Sequence, residues 1–149
     1  MVPRRRVVDQ ARSYLGVPWR HQGRTRHGID CVGLIVRVAH DLGLSGYDET
    51  GYARLARGRS LIAALEAHCR KVTDPQPGDV VCFRYDSNPQ HVGMLTDHPG
   101  GGLGLIHANA KAGGLGLVGR VTECRYADPW PERAVAAFAL PAVEASWSS

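Results

Sequence analysis

The hydrophobic periodicity of this chain changes at one place, the turn sequence Pro75-Gln76-Pro77-Gly78-Asp79. Before this turn, apolar residues recur at intervals of three and four, as on one face of an α-helix. After it, short β-branched or alternating segments are separated by Gly, Pro and Asp. Helices followed by strands are typical of an α+β fold. We therefore expect N-terminal helices packed on an antiparallel sheet of about five or six strands.

These patterns predict element boundaries within a single domain that spans residues 1–149. Helices are expected from about Pro3 to Leu15, from Cys31 to about Leu42, and after Ser60 as N-cap. Strands are expected at Val80 to Tyr85, His91 to Thr96, Leu103 to Ala108, Leu117 to Tyr126 and Ala134 to Leu140. A helical turn is expected around Tyr52 to Ala56, and the tail from Pro141 to Ser149 is expected to fray.

Composition argues against several classes of protein. The net charge is only +4, and the basic cluster Arg4-Arg5-Arg6 has no interleaved aromatic residues. A nucleic-acid partner is therefore not expected. No stretch approaches the ~20 apolar residues of a membrane-spanning helix, and the N-terminus does not resemble a signal peptide. We expect a protein that is made in the cytoplasm and does not span a membrane.

Cys31 is the strongest candidate for chemistry because it is predicted to lie in the first turn of a helix. Apolar residues follow at helical spacing at Leu34, Ile35 and Val38, and Asp30 is suited to be the N-cap. The unpaired N–H groups and the dipole at a helix start favour an anion, and the thiolate is the nucleophilic form of cysteine. The alternative is that Cys31 is a small buried hydrophobe, and the charge of Asp30 opposes a thiolate.

The other three cysteines, Cys69, Cys82 and Cys124, are widely spaced and are expected to be reduced packing residues.

His91 and His107 are both predicted to lie in strands joined by a glycine-rich connection. If position 91 pairs with position 107, about five residues remain for the turn and the two imidazoles share one sheet face. A thiol that attacks a carbonyl needs a base within reach, and the base needs a third group to hold its tautomer. His91 is then the candidate base and His107 the orienting group. Two alternatives stay open: a metal bound by both histidines with Cys31, or two ordinary core histidines.

Three blocks of sequence resemble the NlpC/P60 family of papain-like cysteine peptidases. The first runs from Tyr14-Leu15-Gly16-Val17-Pro18-Trp19 to Asp30-Cys31-Val32-Gly33-Leu34, similar to the family's LGxPYxxGG…DCSGL. The second is Pro77-Gly78-Asp79-Val80-Val81-Cys82-Phe83 with His91-Val92-Gly93-Met94, and the third is Leu105-Ile106-His107-Ala108. The blocks stand in the family's order and cover most of the chain.

The resemblance implies a papain-like α+β core in which Cys31 is the nucleophile, His91 the general base and His107 the third polar residue. It implies no metal and no cofactor. The implied reaction is endopeptidase cleavage of the peptide stems of bacterial peptidoglycan, typically between γ-D-glutamate and a diamino acid. In this interpretation the backbone N–H of Cys31 contributes to the oxyanion hole.

The chain departs from the family pattern where the stem peptide is expected to bind. Trp19 replaces the usual Tyr, Val32 replaces the usual Ser, and His21-Gln22-Gly23 replaces a second aromatic residue and Gly-Gly. With Asp30, the residues Trp19, His21, Gln22 and Val32 are the predicted substrate-binding set. Loss of a hydroxyl at position 32 argues against a strict requirement for a free amine on the stem.

The variant loop resembles the compact members of the family that are encoded by tailed phages and gene-transfer-agent particles. That resemblance implies phage-like tail proteins as partners and action at the cell wall or periplasm as part of a particle. Two other functions stay open. One is a cysteine amidase or acyltransferase on the same core, and the other is a catalytically silent tail-assembly or wall-binding module.

Overall fold

The computed structural model describes residues 1–52, 58–112 and 117–148, and it confirms the α+β fold class. The helices are α1 (Arg4–Arg12), α2 (Cys31–Asp41), α3 (Gly58–His68) and α4 (Trp130–Arg133). The strands are β1 (Arg24–Thr25), β2 (Gly28–Ile29), β3 (Arg70–Val72), β4 (Val80–Tyr85), β5 (Asn88–Asp97), β6 (Leu103–Ala108), β7 (Lys111–Ala112), β8 (Leu117–Val118), β9 (Val121–Arg125) and β10 (Ala134–Ala139). Most of the turn expected at Tyr52 to Ala56 falls outside the described residues.

The main sheet is six-stranded, with the order β3-β10-β4-β5-β6-β9 and antiparallel pairing between neighbours. Sequence patterns predicted five of these strands but missed β3, whose three residues show no alternation of burial. The strand predicted at Leu117 to Tyr126 is divided in two. Its first part pairs with β7 in a separate hairpin, and its second part, β9, joins the main sheet.

Two predicted helix boundaries were wrong. The first helix stops at Arg12, and the chain turns before Gly16, which has a φ of 86° that suits glycine. The third helix starts at Gly58, so Ser60 lies inside it and is not its N-cap. The α2 boundary was predicted correctly, since the helix begins at Cys31 with Asp30 as its N-cap.

The two faces of the sheet bury different groups. One face packs on α1, α2 and α3 through a core that includes Val7, Leu34 and Met94. The opposite face carries a smaller apolar cluster around Phe83, against which Trp130 packs. Residues of β5 and β6 that point to this second face include both candidate histidines, so the sheet itself separates the main core from the histidines.

The prediction of a frayed C-terminal tail was wrong for residues 141–148. Val143 is buried, and its neighbours exchange backbone hydrogen bonds with Val2 near the start of the chain. Arg4 donates from Nε to the carbonyl of Glu144 at 2.8 Å, and Trp147 lies under the guanidinium of Arg5. An apolar anchor and several donors therefore hold the tail against α1. None of the helices in the described ranges is both long and apolar enough to cross a membrane.

Candidate active site

His91 and His107 form a buried hydrogen-bonded pair, with Nε2 of His91 2.7 Å from Nδ1 of His107. The predicted register was wrong, because Met94 pairs with Ile106 and the two histidines are therefore diagonal rather than opposite. The rings still meet because Gly93 faces His107. A Cβ at position 93 would stand 2.6 Å from Cδ1 of Leu105 and 3.1 Å from the Cβ of His107, so a larger residue there would displace these side chains.

Aromatic rings surround the histidine pair. Phe83 pairs directly with His91 across β4 and β5, and the ring of Tyr85 stacks on His91 with centroids 5.7 Å apart. Trp130, at the start of α4, contacts both imidazoles, with centroids 5.6 Å from His91 and 4.8 Å from His107. The pair is thus enclosed by apolar ring faces.

This enclosure keeps both imidazoles neutral. Burial, with a smaller effect of the neighbouring ring, holds the pKa of His91 well below its ordinary value of 6.5. Burial alone lowers the pKa of His107 to about 4. Near neutral pH, one ring therefore donates an N–H to a lone pair of the other. Two neutral imidazoles in this arrangement can accept a proton and share the charge that results.

Cys31 lies in the first turn of α2, as the sequence predicted. Its side chain is partly buried. Asp30 caps this helix by accepting a hydrogen bond from the backbone N–H of Gly33 at 2.7 Å. The position at the start of a helix is the one where backbone N–H groups favour a thiolate or an oxyanion.

The carboxylate of Asp30 is held by donors from three segments. Besides Gly33, the backbone N–H of Gln22 donates to it at 2.9 Å and Arg24 donates from Nη1 at 3.1 Å. The hydroxyl of Tyr52 donates at 2.5 Å. Burial and the Asp30 carboxylate raise the pKa of Tyr52, which keeps this donor protonated. Asp30 therefore ties the 19–24 loop to the start of α2.

The predicted substrate-binding residues lie together around this carboxylate. Trp19 stacks on His21 with centroids 6.4 Å apart, and His21 meets Tyr52 edge-on at 5.6 Å. Gln22 adopts a φ of 59° and donates from its side chain to the carbonyl of Tyr52. Val32 lines an adjacent, mainly apolar cavity of about 100 Å³ between α2 and α3. The structure brings these residues to one wall beside Cys31, and their role toward a substrate stays a prediction.

Tyr85 connects the cysteine with the histidines. Its ring stacks on His91, and the charge of Cys31 adds to burial in raising the pKa of its hydroxyl to about 12. The thiol is therefore near enough for its charge to act on a residue that touches the candidate base. The roles of Cys31, His91 and His107 in a reaction stay predictions.

The remaining cysteines sit in environments that suppress reactivity. Cys82 is fully buried, and burial raises the pKa of Cys69 to about 11 and raises that of Cys124. All four cysteines lie in the described residues and none is in a disulfide. Within those residues, no cluster of three or more His, Cys, Asp or Glu side chains has the geometry to hold a metal ion.

The model of the "NlpC/P60 family" matches residues 16–135, which include both histidines, the cysteine and the 19–24 loop. The chain belongs to the NlpC/P60 family. The match ends within β10 and starts after α1, so most of the sheet and the whole candidate site fall inside it.

Two relatives from Escherichia coli strain K12 share part of their length with this chain. "Murein DD-endopeptidase MepS/Murein LD-carboxypeptidase" is 28% identical over 108 residues, which are 72% of this chain and 50% of that protein. "Probable endopeptidase NlpC" is 32% identical over 107 residues, which are 70% of this chain and 61% of that protein. The chain thus spans about half to three-fifths of these relatives.

A solved structure has the same fold. The NlpC/p60 domain of the peptidoglycan hydrolase SagA superposes with a TM-score of 0.60 at 20% identity, covering 93% of this chain and 100% of that domain. This similarity supports the family's fold for the described residues.

Sequence reasoning missed four residues of the site: Arg24, Tyr52, Tyr85 and Trp130. Tyr52 lies in a stretch without periodicity, and Trp130 lies between Pro129 and Pro131 at the start of the short helix α4. A large aromatic residue between two prolines is a usable signal, because a ring of that size is seldom left in solvent.

Proposed function

We propose that this chain is a cysteine endopeptidase that cleaves the stem peptides of bacterial peptidoglycan. Membership of the NlpC/P60 family supports this reaction class, as do its relatives, which are named murein or peptidoglycan endopeptidases. The observation that carries the proposal is the buried pair of neutral imidazoles, His91 and His107, joined at 2.7 Å on a sheet face near Cys31. A nucleophilic thiol needs such a base, and the base needs such a partner.

In the proposed reaction, His91 uses Nδ1 as the base. If its Nε2–H donates to Nδ1 of His107, the lone pair on Nδ1 of His91 is available to take the proton of the Cys31 thiol. The sulfur attacks the scissile carbonyl, and the backbone N–H of Cys31 stabilises the oxyanion. His91 returns the proton to the leaving amine. A water, activated by the same ring, then hydrolyses the thioester and regenerates the thiol.

We propose the γ-D-glutamyl–diamino acid bond as the bond that is cut. We also propose that the protein is part of a phage-like tail that opens the wall locally, and that it therefore acts at the cell wall or periplasm. The loop variant Trp19-Arg20-His21-Gln22 supports that context. Mass spectrometry of purified particles, compared with the culture supernatant freed of particles, tests it. Finding this protein only in the particle-free supernatant would overturn the tail assignment.

The reaction is tested by mass spectrometry of defined muropeptides after incubation with the purified protein. We expect cleavage that releases new amines, abolished in Cys31→Ala with the fold retained, and unchanged by a chelator. Cleavage that persists in Cys31→Ala would remove the cysteine from its role. Transfer of the acyl group to an added amine, without hydrolysis, would instead favour an acyltransferase. Strong inhibition by the chelator would favour a metal site.

A further inference from the structure

Arg133 places a positive charge close to the histidine pair. Its guanidinium carbon lies over the ring of Tyr85, 5.7 Å from the centroid, and over that of Trp130, 6.0 Å from the centroid. Both rings contact His91 directly. One aromatic layer therefore separates Arg133 from the candidate base.

The charge of Arg133 is not neutralised within the described part of the chain. Other arginines near carboxylates form ion pairs there, among them Arg4 with Asp79 and Arg24 with Asp30. No Asp or Glu of the described residues lies within ion-pair distance of Arg133. A guanidinium over aromatic rings keeps the planar N–H donors with which arginine binds carboxylates in bidentate fashion.

The charges of Arg133 and Cys31 converge on one hydroxyl. Burial raises the pKa of Tyr85, the charge of Cys31 raises it further, and the charge of Arg133 opposes both effects. The guanidinium and the sulfur therefore both lie within electrostatic range of Tyr85. A substrate held at Cys31 would come within the field of Arg133.

We infer that Arg133 binds a carboxylate of the substrate beside the scissile bond, namely the α-carboxylate of the γ-linked D-glutamate. This inference rests on the proposed function. A peptide bond made through the γ-carbonyl leaves the α-carboxylate free. Four carbon–carbon bonds separate the two groups, a reach of about 5 Å when extended. Arg133 is thus a specificity-determining residue for stems with an anionic second position.

Stems that differ only in this group provide the test. One carries D-glutamate and the other D-isoglutamine, in which an amide replaces the α-carboxylate. We expect Arg133→Gln to lower kcat/KM for the D-glutamate stem by about 10- to 100-fold, the range for loss of a charge-assisted hydrogen-bonded pair. The D-isoglutamine stem should change by less than about 3-fold, and Arg133→Lys should recover part of the loss. Arg6→Gln removes an exposed positive charge on α1 and should change neither stem.

Three results would overturn the inference. The first is an equal loss on both stems, which would mean that Arg133 only supports the fold of the site. The second is no loss on either stem. The third is a loss that follows replacement of diaminopimelate by lysine instead of amidation of D-glutamate, which would mean that Arg133 reads a carboxylate on the other side of the bond.

Binding separates this inference from the proposed reaction. In the Cys31→Ala protein, calorimetry should show weaker binding of the D-glutamate stem after Arg133→Gln and little change for the D-isoglutamine stem. If the wild-type protein cleaves no stem but this binding difference is found, the proposed function fails and the carboxylate site stands. If cleavage is found without the difference, the carboxylate site fails.

Discussion

The two sides of the candidate site are equally buried and are built in opposite ways. Asp30 and His91 are each 4% exposed. Asp30 is surrounded by donors, namely two backbone N–H groups, a guanidinium and a hydroxyl. His91 is surrounded by ring faces and a second imidazole, and so remains neutral. At the same degree of burial, the groups around Asp30 satisfy a carboxylate with hydrogen bonds, whereas the rings around His91 exclude water and favour the neutral imidazole.

This difference separates two tasks. The Asp30 carboxylate acts as a hub that holds the 19–24 loop against the start of α2, because each hydrogen bond to its oxygens fixes one more segment. A neutral ring suits a base, because it has a lone pair to accept a proton near neutral pH. Substitutions on the two sides should therefore have different effects. Those at the histidines should lower catalysis, and those at Asp30 should lower stability.

The largest expected effect is the loss of the base. His91→Gln keeps a polar side chain of similar size but cannot take a proton, so we expect kcat on muropeptides to fall about 10³-fold. Amine release measured by mass spectrometry checks this. His98→Gln, in the loop after β5, is the matched control and should retain full activity. A His91→Gln protein with more than a tenth of wild-type activity would show that the base is elsewhere.

The second effect is loss of stability in acid. Unfolded histidine takes up a proton near pH 6.5, whereas folded His107 does so only near pH 4, so the unfolded chain binds more protons between these values. Stability should therefore fall as the pH is lowered from 6.5 to about 4, by about 3 kcal/mol from this residue. Burial of His91 acts in the same direction.

Urea unfolding at pH 7 and pH 4 measures this loss, and His107→Asn should reduce it relative to wild type. The asparagine side chain retains a hydrogen-bonding group without a titrating ring, so part of the catalytic activity should also remain. The exposed control His27→Asn should leave the pH dependence unchanged. Equal acid sensitivity in His107→Asn and wild type would contradict a neutral, buried His107.

Local patterns predicted most of the fold, and the departures have physical causes. The start of the Cys31 helix was predicted correctly because its N-cap, Asp30, and its apolar periodicity lie within neighbouring residues. The register of β5 and β6 was wrong by one diagonal step, because alternation fixes the face of a residue but not its partner. The glycine at position 93 faces His107 and leaves room for its diagonal contact with His91.

The supporting residues of the site could not be predicted in the same way. Arg24 and Tyr52 reach Asp30 from segments without periodicity, and Trp130 reaches the histidines from the short helix α4, more than 20 residues downstream of His107. Such contacts depend on how separate segments pack, which spacing along one chain does not encode. The family resemblance supplied the roles of Cys31, His91 and His107, but not the rings and donors around them.

A third effect probes the Asp30 side. Asp30→Asn removes the buried partner of Arg24, which is 13% exposed, and replaces one acceptor oxygen by an amide group that is itself a donor. We expect a loss of about 2 to 3 kcal/mol in the free energy of unfolding, measured in urea. Asp48→Asn is the matched control, since it removes the other carboxylate partner of the same arginine at a site that is 32% exposed. That change should cost less than about 1 kcal/mol.

Adding Arg24→Gln to Asp30→Asn should restore part of the lost stability, because no guanidinium is then left facing the new amide at this mostly buried site. If the two aspartate variants lose the same stability, Asp30 is no more than a surface partner. The hub interpretation would then be wrong.

The smallest effect compares the four thiols by alkylation. Cys31 lies at the charged side of the site in a helix start, whereas Cys82 is fully buried and burial raises the pKa of Cys69 to about 11. A thiol with that pKa is ionised to only about one part in a thousand or less near pH 7.5, and the thiolate is the form that reacts. We expect iodoacetamide to modify Cys31 at least about tenfold faster than any other cysteine, as measured by peptide mapping.

His91→Gln should slow this reaction because the base that takes the thiol proton is gone, while Asp30→Asn should change it less. If Cys69 or Cys124 reacts first in the folded protein, the assignment of Cys31 as the nucleophile is wrong.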